Sequence, residues 1–316
     1  MLLTNVDSAD EYAQHVPDAS WVVSSGDRII ARCSCWWRSV PHLRGERLGL
    51  VGHYAAEDDA SAQQILRRAC ERLRAEGCTL AVGPIDGSTW RQYRFITDRA
   101  ASTFSRTFFL EPDNEDSWPL QFAAEGFKPL AAYRSALSTD LERAVAEAAE
   151  AEKRLRNLGV AIRSIDLEDS LNELRRIYKV SIESFADNFL YTPIDESEFT
   201  HLYRSVLPLV RPDLVSVAEV EGEPVGFLFA VPDVLEARRT PEGSTRTIVV
   251  KTLAVTPRWQ GIGLGTALVT RTHAIAWQQG FVRAIHALMH DSNPSQRISG
   301  KDTQTIRRYT LFARPL

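Results

Sequence analysis

No apolar stretch of this sequence reaches the roughly 18 residues needed to span a bilayer. The opening residues, Met1-Leu2-Leu3-Thr4-Asn5-Val6-Asp7, lack the basic start and apolar run of a secretory signal. A cytoplasmic protein without a membrane partner is therefore expected. Cysteine is scarce, with Cys33, Cys35, Cys70 and Cys78 as the four. None of their spacings is the two-residue gap of a zinc knuckle, and Cys33 and Cys35 have the i, i+2 spacing of one strand face. All four are expected to be reduced, mostly in the core. Positive charge is not in excess: the formal net charge is -4 and the sequence pI near 6.0. That balance supplies no basic face for nucleic acid. A Gly-x-Ser-x-Gly nucleophile elbow is also missing, which excludes that class of hydrolase. His286 and His290 stand four apart on an expected strand, where they share no helical face, so no metal site is expected.

What is present suits an ordinary globular protein. The 316 residues are 44% hydrophobic and 25% charged, enough for two cores at about 150 residues per domain. An Ala- and Glu-rich stretch at 139–158 reads as a mostly solvated helix linking a first half, 1–138, to a second, 159–316. In the first half, 21–23, 28–37 and 47–53 read as strands. Residues 58–75 form an amphipathic helix with Gly77 as its stop, and 79–82 a short buried strand. The second half repeats that order. Residues 160–165 read as a strand and 170–185 and 196–206 as helices. A hairpin is signalled at Glu221-Gly222-Glu223. A strand at 247–255 with few polar positions is expected to be central. A glycine loop, a helix ending near Gly280 and a strand at 282–288 follow.

The loop is the chemical signal. Gln260-Gly261-Ile262-Gly263-Leu264-Gly265-Thr266 joins the central strand to a helix. Glycines let the backbone turn its N–H groups toward a ligand, and a helix start adds unpaired donors and partial positive charge. The pattern is thus an anion site for phosphate or pyrophosphate. A nucleotide P-loop would need a following Lys and Ser or Thr, which is missing. A dinucleotide loop needs G-x-G-x-x-G near the first strand of a βαβ unit, whereas these glycines alternate.

At these residues the chain resembles the GNAT acyltransferase superfamily. Gln260, Gly263 and Gly265 fill its signature positions, and Leu253-Ala254-Val255 followed by Pro257 matches the usual approach. The resemblance implies an α/β fold with two tandem copies, each a mixed, mostly antiparallel sheet flanked by helices. It implies acetyl-CoA, or another short acyl-CoA, as co-substrate. The loop amides, with Gly261 and Thr266, would hold the pyrophosphate, and Leu253 to Val255 would pair with the pantetheine arm. Asn293 matches an asparagine that often touches that arm; an Asn-Pro turn is the other reading. The first half resembles a degenerate copy: 58–75 takes the place of the signature helix, and Ala123-Ala124-Glu125-Gly126-Phe127 resembles the closing Gly-Phe. It carries Glu57, Asp58 and Asp59 where a pyrophosphate needs donors, so no coenzyme is expected there.

Acyl transfer to an amine needs a polarised carbonyl, a base for the ammonium and an acid for the thiolate. The backbone N–H of Leu253 or Val255 is a candidate for the first. The glutamate that many members carry upstream of the motif is missing from Ile248-Val249-Val250-Lys251. Asp187, Asp233 or Glu183 would have to act through water. The usual tyrosine position is Gly300, which leaves Tyr309 as the candidate acid, with Ser295 and Ser299 behind it. Lys251, expected to share a face with Leu253 and Val255, points into the cleft or snorkels. Tyr191 is the candidate pocket wall. The expected activity is acetyl transfer to an amine of a small-molecule or peptide acceptor by a monomer or homodimer. Two alternatives stand beside it. One is a coenzyme A-binding regulator without turnover. The other is an adaptor using a surface of Trp36, Trp37, Trp90 and Trp118.

Overall fold

The computed structural model describes residues 1–6, 14–99, 106–292 and 303–316. In chain order the first part contains β1 (Leu2–Val6), β2 (Ala19–Ser25), β3 (Arg28–Trp36), β4 (Leu48–Ala56), α1 (Asp59–Ala75), β5 (Leu80–Gly83), β6 (Phe95–Asp98), α2 (Ser117–Ala124) and β7 (Lys128–Ser138). Then come α3 (Arg143–Arg156), β8 (Val160–Ser164), α4 (Ser170–Ser184), α5 (Glu196–Arg204), β9 (Val215–Val220), β10 (Glu223–Pro232) and the single-turn α6 (Val234–Ala237). The chain ends with β11 (Thr247–Val255), α7 (Leu264–Gln278), β12 (Arg283–His290) and β13 (Gln304–Pro315).

Local chemistry explains the boundaries. Asp58 caps α1 by accepting from the Ser61 amide at 2.7 Å. Ile65, Leu66, Ala69, Cys70 and Leu73 bury the face spaced for it. Glu221 and Gly222 both take positive φ, +52° and +84°, as the tight β9–β10 hairpin requires. Ile248, Val249 and Val250 on β11 are buried, in keeping with a strand that has neighbours on both sides. Strands β1, β6 and β7 carry no clear alternation and were not expected from the sequence. All four cysteines are unbridged and buried.

Among the described residues the strands form one mixed sheet in the order β1-β2-β3-β4-β5-β13-β7-β12-β11-β10-β9-β8, with β6 beside β13. Parallel pairing occurs at β4–β5 and β11–β12, and the remaining pairs are antiparallel. The plan is thus built twice, once in β1–β5 and once in β8–β12. The two repeats exchange their closing strands. Strand β7, from the first half, pairs with β12, while β13, from the second, pairs with β5. The exchanged strands also pair with each other from Lys128 to Leu137.

Helix α3 is mostly exposed, as expected, but it is no bare linker: one side of it is packed. Leu141, just before it, and Ala144, Ala151 and Leu155 within it are buried. Leu141, Ala151 and Leu155 share an apolar cluster with Leu264 and Leu268 of α7, and Glu152 bridges to Arg271 at 2.7 Å. The tryptophan surface is likewise corrected: Trp36 and Trp37 are core residues. Trp118 packs on Tyr54 and Phe95, and Trp90 on Phe185, Tyr191 and Phe199, which leaves no tryptophan-lined face. Among the described residues no helix is long and apolar enough to cross a membrane.

Candidate functional site

Strands β11 and β12 run together from Thr247↔Arg283 to Val250↔His286 and then part. On β11 the cause is a bulge. Phe229 pairs with Thr252 and Ala230 with Val250, so Lys251 is an extra residue without an opposite number. On β12 the register with β7 shifts between His286 and Met289, and Leu288 takes φ +62° while its amide donates to Ser135 Oγ at 2.9 Å. Beyond Val250, the side of β11 toward β12 therefore has no partner strand among the described residues. This open edge includes Leu253, Ala254 and Val255.

The bulge also decides where the side chains go. Leu253 and Val255 lie on the face of Ile248 and Val250, against α7. Lys251 does not join them. Its Nζ donates to the Leu110 carbonyl at 2.9 Å, on the opposite face, where Val249, Ala254, Phe227 and Phe229 meet α4 and α5. The extra residue inverts the period-two alternation that predicted a shared face.

The glycine loop sits at the end of the open edge. The Thr256 amide holds the Val225 carbonyl at 2.9 Å, and Gln260 Nε2 ties the loop back to the Val255 carbonyl at 3.0 Å. Gly261 and Gly263 have φ of +81° and +87°, which L side chains rarely adopt, and a Cβ at either would meet nothing within 4 Å. The first bond of the α7 ladder runs from the Ala267 amide to the Gly263 carbonyl at 3.0 Å. The amides of Leu264, Gly265 and Thr266 precede that ladder, at the positive end of a 15-residue helix. Gly261, Ile262 and Gly263 are exposed, so an anion can reach the turn.

In the first half the equivalent helix start is closed, because the Asp58 carboxylate occupies the place where a phosphate would sit. Asn293, Ser295 and Ser299 lie outside the described residues.

Deeper in the splay is a polar cluster drawn from both halves. Burial lowers Lys251 to about 7, with the Arg94 charge acting in the same direction and Glu111 against it. Tyr309 is fully buried; its hydroxyl donates to Glu111 Oε1 at 2.5 Å and meets Ser135 Oγ at 2.9 Å. Glu111 Oε1 also forms an ion pair with Arg307, whose Nε is 3.2 Å away, and neither of those side chains is exposed to solvent. Burial raises the Glu111 carboxyl despite the opposing Tyr309 bond and Arg307 charge. The Arg94 guanidinium lies between Tyr93 and Tyr133, 4.1 and 4.2 Å from their ring centres. It is buried, and its Nε and Nη1 have no hydrogen-bond partner among the described residues.

The remaining expected residues fall elsewhere. Tyr191 is half-buried 6.1 Å from the Trp90 ring, with its hydroxyl 3.4 Å from the Ile182 carbonyl. Its neighbours Phe189 and Leu190, rather than Tyr191, join Tyr133, Leu288 and Tyr309 in one cluster. Asp233 is buried as a cap, with Oδ1 accepting the amides of Phe109, Leu235 and Glu236. Asp187 and Glu183 are exposed. Glu111, Arg307, Arg94 and Ser135 gave no sequence signal, since each belongs to a segment without distinctive periodicity.

On the α4 side of the sheet, Leu174, Ile177, Tyr203, Leu207, Val210, Phe227 and Phe229 line an apolar slot of about 20 Å³. Lys251 reaches the same face through Leu110, which packs in the same cluster as these side chains.

Residues 170–298 match the family model described as Acetyltransferase (GNAT) family. A bacterial ceramide synthase from Caulobacter vibrioides (strain NA1000 / CB15N) is 29% identical over 234 residues, covering 72% of this chain and 59% of that protein. The chain thus spans less than two thirds of that relative's length. Among solved structures, a GCN5-related N-acetyltransferase from Sphaerobacter thermophilus aligns with a TM-score of 0.50 at 13% identity, covering 94% of this chain and 80% of that one. A probable N-acyltransferase from Enterococcus faecalis V583 aligns with a TM-score of 0.55 at 9% identity, covering 98% and 66%. At such identities these structures are similar in fold.

Proposed function

We propose, from the match of residues 170–298 to the GNAT family, that the chain transfers an acyl group from an acyl-CoA to the amine of a long-chain acceptor. One observation carries the acyl-CoA reading: the exposed Gly261–Gly263 turn opens α7 beside a strand edge that, among the described residues, has no partner strand from Lys251 onward. The turn and helix start suit the pyrophosphate. The open edge, Leu253 to Val255, suits the amide-bearing pantetheine arm, and a free N–H there, that of Leu253 first, suits the thioester oxygen. Asn293, if it reaches the arm, would add a contact.

The splay joins the two faces of the sheet, with coenzyme entering from the α7 side and acceptor from the α4 side, where Lys251 lies. In this reading neutral Lys251 takes a proton from the acceptor ammonium. The free amine attacks the thioester carbon, a C–N bond forms, the C–S bond breaks, and a proton returns to the departing thiolate. Tyr309 already donates to Glu111, so we assign it to holding that carboxylate in place rather than to reprotonating sulfur. The N–H groups of Arg94 that have no partner among the described residues suit a substrate oxygen. Tyr191 backs the acceptor wall through Trp90.

Two features support a long chain. The slot on the face of the sheet that Lys251 reaches is lined by apolar surface, and the Caulobacter relative is named for ceramide, an amide of a fatty acid with a long-chain amino alcohol. As it stands the slot is narrow, so a chain enters only with outward movement of α4 and the segment after α5.

The test is release of free thiol from acetyl-CoA and from palmitoyl-CoA, each with a long-chain amino alcohol and with short primary amines. Turnover that requires the long-chain acceptor is expected. Turnover of acetyl-CoA with short amines alone would restore the acetyl expectation. Tight coenzyme binding without thiol release under any pairing would favour the regulator and sink the transferase.

A further inference from the structure

We propose that His15, His53 and Asp86 form a binding site for one zinc ion in the N-terminal half. The three come from separate stretches of chain: His15 precedes β2, His53 lies on β4 and Asp86 follows β5. One donor atom from each lies within 4.8 Å of the others, and Nδ1 of His15 is 2.7 Å from Nε2 of His53. Two imidazole nitrogens and a carboxylate oxygen are a donor set that zinc favours, with a fourth position left for water. Tetrahedral bonds of roughly 2.0–2.1 Å set ligating nitrogens about 3.3 Å apart. The rings therefore need to part by about 0.6 Å, which rotation of the half-exposed His15 can supply.

His53 is held as a ligand would be. Its other ring nitrogen, Nδ1, lies 2.9 Å from Ser34 Oγ, which is 2.8 Å from Ser20 Oγ. A partner on one ring nitrogen orients the ring and leaves the other to face the metal. The His53 amide donates to Asp86 Oδ1 at 2.6 Å, and its φ of +47° is a conformation that persists only where surroundings enforce it. Gly52 is part of the same fit, because a Cβ there would stand 2.6 Å from Asp86 Oδ1.

Burial lowers His53 to about 3 and His15 to about 4, and the Arg91 charge acts in the same direction on both. Burial pushes Asp86 up to about 6, against the Arg91 and Arg32 charges, which act to lower it. Arg32 and Arg91 are the opposing charges nearby, and Glu198 pairs with Arg91 at 2.5 Å. Arg91 Nη1 donates to the backbone carbonyls of His15 and Asp86 at 3.3 and 3.4 Å.

The metal would fasten the loop that carries Trp90 and Arg91, which hold the Thr192 carbonyl and Glu198 of the second half. It would thus brace the acceptor wall from the first half, whether or not the acyl-transfer reading stands.

The experiment is zinc titration of the chelator-stripped full chain by calorimetry, with metal content after dialysis as a second measure. One tight equivalent and a raised melting temperature are expected. His15→Gln and Asp86→Asn should each weaken binding at least tenfold while remaining folded by circular dichroism, and His201→Gln, an exposed control, should not change it. Cobalt in place of zinc should show the visible bands of a tetrahedral site. No tight equivalent in the wild type, or one that survives both His15→Gln and Asp86→Asn, overturns the proposal.

Discussion

Lys251 and Leu253 are two residues apart on one strand and face opposite sides of the sheet. A regular strand would place them together. The bulge separates them, leaving an apolar wall toward α7 and an amine on the side of the slot.

That amine sets the first expected pH dependence. With Lys251 lowered to about 7, its neutral form grows as pH rises through 7. We predict that kcat/KM climbs about tenfold per unit below pH 7 and levels above it. Lys251→Met should flatten this limb and lower the rate by about 10²- to 10⁴-fold. Stability gives a second readout. The folded chain binds fewer protons than the unfolded chain between about 7 and the ordinary lysine value, so stability rises with pH across that window. Denaturant midpoints should show that rise in the wild type and lose it in Lys251→Met. An unchanged rate profile in the variant would remove Lys251 from proton transfer.

Gly263→Asp places a negative charge on the turn at the start of α7, where φ is +87°. Asp tolerates this region better than most residues, so the melting temperature should fall by only a few degrees. Coenzyme A affinity by calorimetry should fall at least 100-fold. Unaltered affinity would contradict the pyrophosphate assignment.

Arg307→Met strands the Glu111 carboxylate in a site closed to water. Breaking one partner of a buried pair costs about 3–5 kcal/mol. Urea unfolding should show a loss of that order, and adding Glu111→Gln should restore part of it. Strict additivity of the two would mean that the ion pair is not coupled.

Leu207→Trp adds bulk to the slot beneath α4 and α5. Rates with a long-chain acceptor should drop at least tenfold, while coenzyme A affinity stays within twofold. Equal losses with long and short amines would show that the slot does not read chain length.

Local features were legible in the sequence. The Gly261–Gly265 loop, the Glu221-Gly222 hairpin and the face of α1 each follow from neighbours a few residues apart, where spacing fixes geometry. The proton-handling cluster was not. Glu111 meets Tyr309 across 198 residues, and nothing in the composition near Glu111 distinguishes it from a surface acid. Lys251 was picked out as unusual within an apolar strand, yet its face was misread, because a bulge depends on pairing with β10 and leaves no mark in the alternation. The exposed sides of α3 were legible; its packed side left little trace, because Ala144 and Ala151 carry little hydrophobic signal and their burial depends on α7 being there to cover them.

The exchange of β7 and β13 has a consequence for synthesis. Strand β7 is made before either flanking strand, β12 or β13. At ordinary translation speeds the wait is on the order of ten seconds. Until it ends, the nascent chain shows open backbone edges on β5 and on both sides of β7, of the kind that recruit stray strands. A gene cut within α3 would yield two products, each holding the other's final strand. Expressed apart they should aggregate, and expressed together they should find each other and restore one folded molecule.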